Sequence, residues 1–391
     1  MTMRKFAVPF VLATTVPGIA AAQMPLQKAP AIPALPHEDD APIALLVDVT
    51  SGQVLFSRNA DRRFVPASIT KVMTIFLAFE LIEEGELNPS QIMTVSPQTW
   101  KQWARKGSTM FLPPDARVRA SDLILGIANV SANDGAAMLA EGQAGSIEAW
   151  VAAMNAKARE LGMVNSHFGT PNGWMDEGRT FTSANDLVLL GEAMVERHPA
   201  RFARYVGQVG FTYNGITQPN HDPMLGKVRG ADGIKTGFTN EAGFGFLGTA
   251  RRDGQRLMMV VAGVDSGRLR AKLSRQFIEW GFQNFERKQL FPSGVVVGSA
   301  RVQGGSAFGV DLVTDRDVFV NVPRQGGENM TVNIVYNGPV RAPIAAGEAI
   351  ARLEIEVPGM APAIIPLKAR ETVEQAGLFH RIVNGIAGWF G

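Results

Sequence analysis

The sequence predicts an α/β protein of the α+β kind: an antiparallel sheet with a helical block, followed by a small all-β domain and a C-terminal amphipathic helix. Three observations carry this reading. Strand-like runs stand at both ends of a long segment dominated by helical patterns. Beyond Phe282, apolar and polar residues alternate at period two between turn residues. The final stretch spaces its apolar residues by three, four, seven and eight, the period of a helix with one apolar face.

The elements follow in chain order. Residues 1–22, "MTMRKFAVPFVLATTVPGIAAA", have Arg4 and Lys5, an apolar stretch from Phe6 and an A-x-A exit, as expected of a secretory signal cut after Ala22. A retained membrane span is the weaker reading, because the apolar stretch falls short of the ~20 residues needed and contains Pro9 and Pro17. Residues 23–40, proline-rich and aperiodic, suggest an extended linker rather than a packed element. A first domain over 41–283 opens with two β-rich runs joined at Ser51-Gly52. Helical patterns follow at Val72 to Ile82, Leu123 to Leu139, Ile147 to Leu161 and Ala184 to Val195. Two strands around Asp253-Gly254 and a helix through "FIEWGF" close it. Residues 284–366 carry "DVFVNV", "MTVNIVY" and "LEIEV", alternating strands of an all-β domain without an obvious catalytic group. Over 367–391 the apolar set is Leu378, Phe379, Ile382, Val383, Ile386, Trp389 and Phe390, with His380, Arg381 and Asn384 elsewhere. That is the pattern of a helix lying in a membrane surface, the alternative being a terminal helix docked on the protein itself.

Composition excludes several function classes. The 391 residues contain no cysteine, so no disulfide framework, cysteine nucleophile or thiolate metal site is available. Five scattered histidines, without an HExxH pattern, leave no expected metal or other cofactor. With 38 basic and 36 acidic residues the formal charge is +2. The leader holds two basic residues and no acidic one, so the exported chain is neutral, with no basic stripe for a nucleic-acid partner.

The chemistry sits in three motifs. Ser68 and Lys71 form S-x-x-K ahead of an apolar run, a spacing that brings hydroxyl and amine to one side of a helical turn. A poorly solvated lysine gives up its proton readily and becomes a base for the hydroxyl. Ser68 as the cap of a buried helix is an equally open reading of that motif alone, which turns up about once by chance in a chain of this size. Ser131-Ala132-Asn133 follows the helical run "LILGIANV", so a helix connection presents a hydroxyl and an amide. Lys235-Thr236-Gly237 precedes the two late strands, as suits an edge strand whose glycine lets a substrate backbone come close. The order SxxK, SxN, KTG in an exported chain is specific.

On these motifs, together with "SGQVLFSRNADRRFVPASITK", "DGIKTG" and "EWGF", the chain resembles the serine-type D-alanyl-D-alanine carboxypeptidases, low-molecular-mass penicillin-binding proteins. The resemblance implies a penicillin-binding/β-lactamase-like transpeptidase fold. It implies removal of the terminal D-Ala from the D-Ala-D-Ala end of peptidoglycan stem peptides, with β-lactams as inhibitors. Ser68 would be the acylated nucleophile, Lys71 its base and Ser131 a proton relay to the leaving amine. Asn133 would orient the substrate amide, Lys235 and Thr236 would bind near its carboxylate, and so would Arg270, ten residues before Trp280. Backbone N–H groups of Ser68 and Phe238 would form the oxyanion hole. The location implied is the periplasm, peripheral on the outer face of the inner membrane. One departure concerns turnover: several relatives have His where Phe238 stands, so any role of an imidazole there is lost.

Two decoys share letters with these motifs. Ser183-Ala184-Asn185-Asp186 repeats Ser131 to Asp134, yet its setting "RTFTSANDLVLL" reads as a capped helix start. Glu84 to Asn88 fits the E-x-x-L-N of class A β-lactamases, but it precedes SxN in the chain and reads as a helix end and polar turn. The competing functions are therefore a D,D-endopeptidase, a slow β-lactamase, or a wall-binding protein without turnover.

Overall fold

The structure is a computed structural model that describes residues 32–325 and 329–377. Two β-runs at the start form β1 (Ile43–Asp48) and β2 (Gln53–Arg58). The helical middle contains α1 (Lys71–Glu83), β3 (Ile92–Thr94), α2 (Pro97–Trp103), β4 (Arg117–Arg119), α3 (Ala120–Val130), α4 (Asn133–Ala144), α5 (Ile147–Glu160), α6 (Ala184–Arg197) and α7 (Pro199–Tyr205). A small hairpin of β5 (Gly210–Tyr213) and β6 (Ile216–Pro219) precedes β7 (Ala231–Thr239), β8 (Gly243–Arg252), β9 (Gln255–Val264) and α8 (Gly267–Asn284). The main sheet is antiparallel in the order β2-β1-β9-β8-β7, so strands from both ends of the segment meet at its centre. β7, which carries the Lys-Thr-Gly motif, is an edge strand, as the sequence predicts.

Period-two alternation explains why this sheet is covered on both faces. Ile43, Leu45 and Val47 of β1 and Met258 and Val260 of β9 pack into the helical block. Ala44, Leu46, Leu257, Met259 and Val261 point the other way, against Phe277, Ile278 and Trp280 of α8. Helix α1 runs through the block's centre, with Val72, Met73, Ile75, Phe76 and Phe79 buried on all sides. It has no polar face to lose, because helices surround it.

The run predicted from Leu123 to Leu139 is two helices. α3 ends at Val130, Ser131 caps it at φ 62 in the left-handed region, and α4 restarts at Asn133. The expected extended linker is also corrected at its end. Leu35 is buried in the cluster that includes α8 residues, Ile32 packs on it, and the Pro33 carbonyl accepts a hydrogen bond from Trp280 Nε1 at 2.9 Å, so the end of this stretch is anchored to the first domain.

The all-β part comprises β10 (Phe285–Phe291), β11 (Val296–Gln303), β12 (Gly309–Val313), β13 (Val318–Pro323), β14 (Thr331–Val335), β15 (Val340–Arg341), β16 (Ala349–Glu356) and β17 (Ala363–Ala369). Its core gathers Val310, Leu312, Val320, Leu353, Ile355 and Leu367. β17 runs past the expected boundary at 366, and bridges at Val373 and Gln375 tie the chain to this unit, so 367–376 is not helix. The apolar terminal pattern from Leu378 onward, like the secretory signal, lies outside the described residues. Among the described residues no helix is long and apolar enough to cross a membrane. The two parts meet through a buried polar cluster in which Asn321 Nδ2 donates to Asp48 Oδ2 at 2.6 Å and to Ser51 Oγ at 2.9 Å.

Candidate active site

The site is assembled from three elements around the start of α1. A 3-10 turn, Ala67–Thr70, leads directly into the helix, with Ala67 at φ 48. Neither the turn nor the helix has a side-chain cap. The capping reading of Ser68 therefore fails, because its hydroxyl is engaged elsewhere. Lys71 Nζ lies 2.8 Å from Ser68 Oγ and 2.7 Å from the Asn172 carbonyl. Ser68 is half-buried, whereas Lys71 has no exposed surface at all.

Burial first, and the nearby positive charge of Lys235 second, hold the Lys71 amine well below the ordinary lysine value; the Asp134 charge opposes this. Asp134 is itself buried, and its carboxylate accepts N–H bonds from Met110, Leu112 and Gly135. Those bonds pin the loop before α3 to the start of α4. They also explain why Asn133 is fixed: its N–H reaches the Ser108 carbonyl at 2.8 Å and its Nδ2 the Lys106 carbonyl at 2.8 Å.

On the facing side, β7 brings Lys235 and Thr236 to the cleft, both nearly buried. Lys235 Nζ bonds the Thr236 carbonyl at 3.1 Å. Desolvation, followed by repulsion from Arg270, lowers its pKa to about 7. Gly237 has a different role from the one its motif suggests. A Cβ there would stand 2.4 Å from the Pro66 carbonyl, so the glycine admits the Ser68 turn itself against the edge strand. Behind β7, Arg270 projects from the first turns of α8, whose Ser266 caps the Leu269 N–H at 3.2 Å.

Ser68, Ser131, Asn133, Thr236, Phe238 and Arg270 line one cleft of about 580 Å³, with Lys71 and Lys235 buried beneath it. Every residue singled out from the three motifs is thus brought to one place. Among the described residues no group of histidines and carboxylates is arranged to hold a metal.

Set against known proteins, residues 28–266 match the family described as D-alanyl-D-alanine carboxypeptidase. The chain belongs to that family. Residues 285–375 match the C-terminal domain of penicillin-binding protein 5. Among this carboxypeptidase's relatives, D-alanyl-D-alanine carboxypeptidase DacA of Escherichia coli (strain K12) is 32% identical over 92% of this chain and 91% of its own. DacD of Salmonella typhimurium is 33% identical over 89% and 90%. The crystal structure of penicillin binding protein 5 from Haemophilus influenzae superposes with a TM-score of 0.76 at 30% identity, covering 86% of this chain and 98% of that one. Penicillin binding protein 6B from Escherichia coli gives 0.67 at 29%, covering 87% and 98%.

The carboxypeptidase site also holds residues the motifs do not name. Asn172 supplies the carbonyl that grips Lys71, and Gly173 beside it lines the cleft. The turn dipeptide "NG" is the only local sign of them. His221 lines the cleft as well, exposed at its mouth, and partial desolvation followed by the charges of Lys235, Arg270 and Lys71 lowers its pKa to about 4. Its neighbour Asp222 is half-buried, and desolvation raises its pKa to about 6. Nothing in "PNHDP" distinguishes that pair from an ordinary polar loop.

The decoys fall outside the site. Ser183 caps α6, its Oγ accepting from the Asp186 N–H at 3.2 Å, and Asp186 accepts from Asn165 N and Ser166 Oγ. Glu84 ends α1 in an exposed position.

Proposed function

We propose that this carboxypeptidase removes the terminal D-Ala of peptidoglycan pentapeptide stems through an acyl-Ser68 intermediate. The observation that carries the reading is the 2.8 Å contact between Ser68 Oγ and a Lys71 amine enclosed away from water and biased to its neutral form. With one N–H given to the Asn172 carbonyl, the amine takes the serine proton as Oγ attacks the carbonyl carbon of the penultimate D-Ala. Main-chain N–H groups of Ser68 and Phe238 receive the negative charge on the carbonyl oxygen. The C–N bond then breaks, Ser131 relays the proton held by the Lys71 ammonium to the departing amine, Lys71 returns to its neutral form, and D-alanine leaves. Water hydrolyses the ester in the reverse sense, returning the proton to Ser68.

Asn133 orients the substrate amide in this scheme, and Lys235, Thr236 and Arg270 take the terminal carboxylate. A buried lysine, a half-buried arginine and a threonine hydroxyl at one cleft favour an anionic chain end. The same groups suit the carboxylate of a β-lactam. Penicillin-Binding Protein D2 from Listeria monocytogenes, 28% identical over 62% of this chain, is known in an ampicillin-bound form, which supports β-lactam binding in this cleft. The slow β-lactamase reading has no support in the cleft, whose lining contains no glutamate among the described residues.

The leader pattern and the terminal apolar face support an exported protein, peripheral on the outer face of the inner membrane. The deciding experiment incubates the purified protein with a diacyl-Lys-D-Ala-D-Ala peptide and measures free D-alanine. Release supports the reading. Its absence from a protein whose Ser68 still takes labelled penicillin overturns the carboxypeptidase assignment in favour of a binding or endopeptidase role.

A further inference from the structure

Arg270 is an anomaly within the cleft. Its guanidinium makes no ion pair among the described residues, and its buried Nε has no hydrogen-bond partner. Other partly buried arginines of the sheet are differently placed: Arg252 grips Glu279 through two nitrogens, and Arg256 grips Asp232 the same way. Asp222 acts on Arg270 through its charge without an ion-pair contact, and the group packed against the guanidinium is aromatic. The guanidinium carbon lies 5.7 Å from the centroid of the Phe244 ring, within cation–π reach. Phe244 is in turn stacked on Phe238, centroids 4.1 Å apart and planes 24° from parallel. The two are direct cross-strand partners of β8 and β7, and Phe244 is wedged under the first residue of α8, where a Cβ on Gly267 would meet its ring at 3.2 Å.

We propose that Phe238 and Phe244 are positioning residues for Arg270: the stacked pair holds the guanidinium so that its unpaired N–H edge is presented to a substrate's terminal carboxylate. This deepens the function proposed above and rests on it. The argument is one of geometry and satisfaction. A half-buried arginine whose Nε lacks a partner retains a demand for an anion beyond the charge of nearby Asp222, and the Phe244 ring packed beside it leaves its edge free. Phe238 is nearly half exposed at the cleft wall, so its ring covers Phe244 without filling the site. The residue after Lys-Thr-Gly thereby acts on carboxylate selectivity through a neighbour, without touching the carboxylate.

The test compares Ser68 acylation by benzylpenicillin and by its methyl ester, in the full chain and in Phe244→Leu, Phe244→Tyr and Phe238→Ala, alongside the D-alanine release assay. Phe244→Leu keeps the apolar volume and removes the ring face, and it is expected to lower the acid-to-ester rate ratio roughly tenfold. Phe238→Ala lowers the same ratio to a smaller degree, and Phe244→Tyr restores it. A merely structural role slows both ligands alike, so an unchanged ratio in Phe244→Leu overturns the proposal. If the parent protein releases no D-alanine but the ratio still falls in Phe244→Leu, the positioning role stands and the carboxypeptidase reading falls. A parent protein inert to both penicillin and peptide overturns both.

Discussion

Lys71 Nζ sits between Ser68 Oγ, at 2.8 Å, and the Asn172 carbonyl, at 2.7 Å, with no solvent on any side. The second contact matters as much as the first. It orients the amine from a loop 101 residues away, so the nucleophile and its base are held by different parts of the chain. Removing either partner is expected to fail differently. Ser68→Ala abolishes covalent penicillin labelling while the fold persists, and labelling retained at another serine would refute the assignment. Lys71→Ala blocks acylation without unfolding the chain, as intact circular dichroism would verify; near-normal acylation would mean that Lys71 is not the base.

The two buried lysines define the expected pH dependence. Lys71 acts when neutral, and its amine is held low by burial and by the Lys235 charge. Lys235 binds a carboxylate when charged, and that charge is lost as pH rises through about 7. The acylation rate with a carboxylate-bearing substrate therefore falls on an alkaline limb near that value. Lys235→Arg keeps its charge at higher pH and should carry the limb upward. A limb that does not move in this variant removes Lys235 from the explanation.

Lys235 also has a stability cost with a definite sign. Its folded pKa, about 7, lies below the unfolded 10.5, so the unfolded chain binds more protons between these values. The cost is therefore full below about 7 and fades as pH rises toward 10.5. Lys235→Met removes it and should stabilise the fold at pH 6 by on the order of 2 kcal/mol, with the gain vanishing near pH 10.5. Urea denaturation at the two pH values measures this, and a variant less stable than the parent at pH 6 contradicts it.

The repeated tetrapeptide offers a matched pair. Ser183 is a helix cap and Ser131 a left-handed helix end in the cleft, although both read Ser-Ala-Asn-Asp. Ser183→Ala should lose about 1 kcal/mol of stability and leave penicillin acylation as it is. Ser131→Ala should slow acylation at least roughly a hundredfold, within the range of a lost proton-transfer group. Equal effects on acylation would contradict the different roles that the two settings imply.

How much of this was legible follows from which forces are local. The strands of the main sheet, α1 and the edge position of the Lys-Thr-Gly strand follow from periodicity and turn residues, which depend on neighbours in sequence. The break at Ser131 was hidden because both halves of the run are apolar, and the restart depends on Asp134 reaching back to Met110 and Leu112. Leu35 reads as linker because one apolar residue among prolines carries no period; its place comes from a cluster gathered from distant parts of the chain, Phe277, Ile278 and Trp280 of α8 among them. Asn172, His221 and Phe244 gain their places from tertiary packing alone. The motifs named the groups that do chemistry and were silent on those that hold them.

Gly173 is where that silence is most costly, and it gives the sharpest structural prediction. It lies at φ +73, and a Cβ there would stand 1.8 Å from the Ala67 carbonyl and 2.8 Å from Thr70 Oγ1. Both atoms belong to the 3-10 turn that carries Ser68, and the preceding residue supplies the carbonyl that grips Lys71. A side chain at this point must push the nucleophile's turn away from the base's anchor. Gly178 is the control, since it shares the conformation, at φ +77, but has nothing within 4 Å of its missing Cβ. Gly178→Ala then reports backbone strain alone, about 1–2 kcal/mol with little change in acylation. Gly173→Ala adds the displacement, so it should cost at least about 3 kcal/mol and slow acylation by two orders of magnitude or more. If the two variants lose equal stability and equal activity, the close approach between Gly173 and Ala67 does not hold the site together.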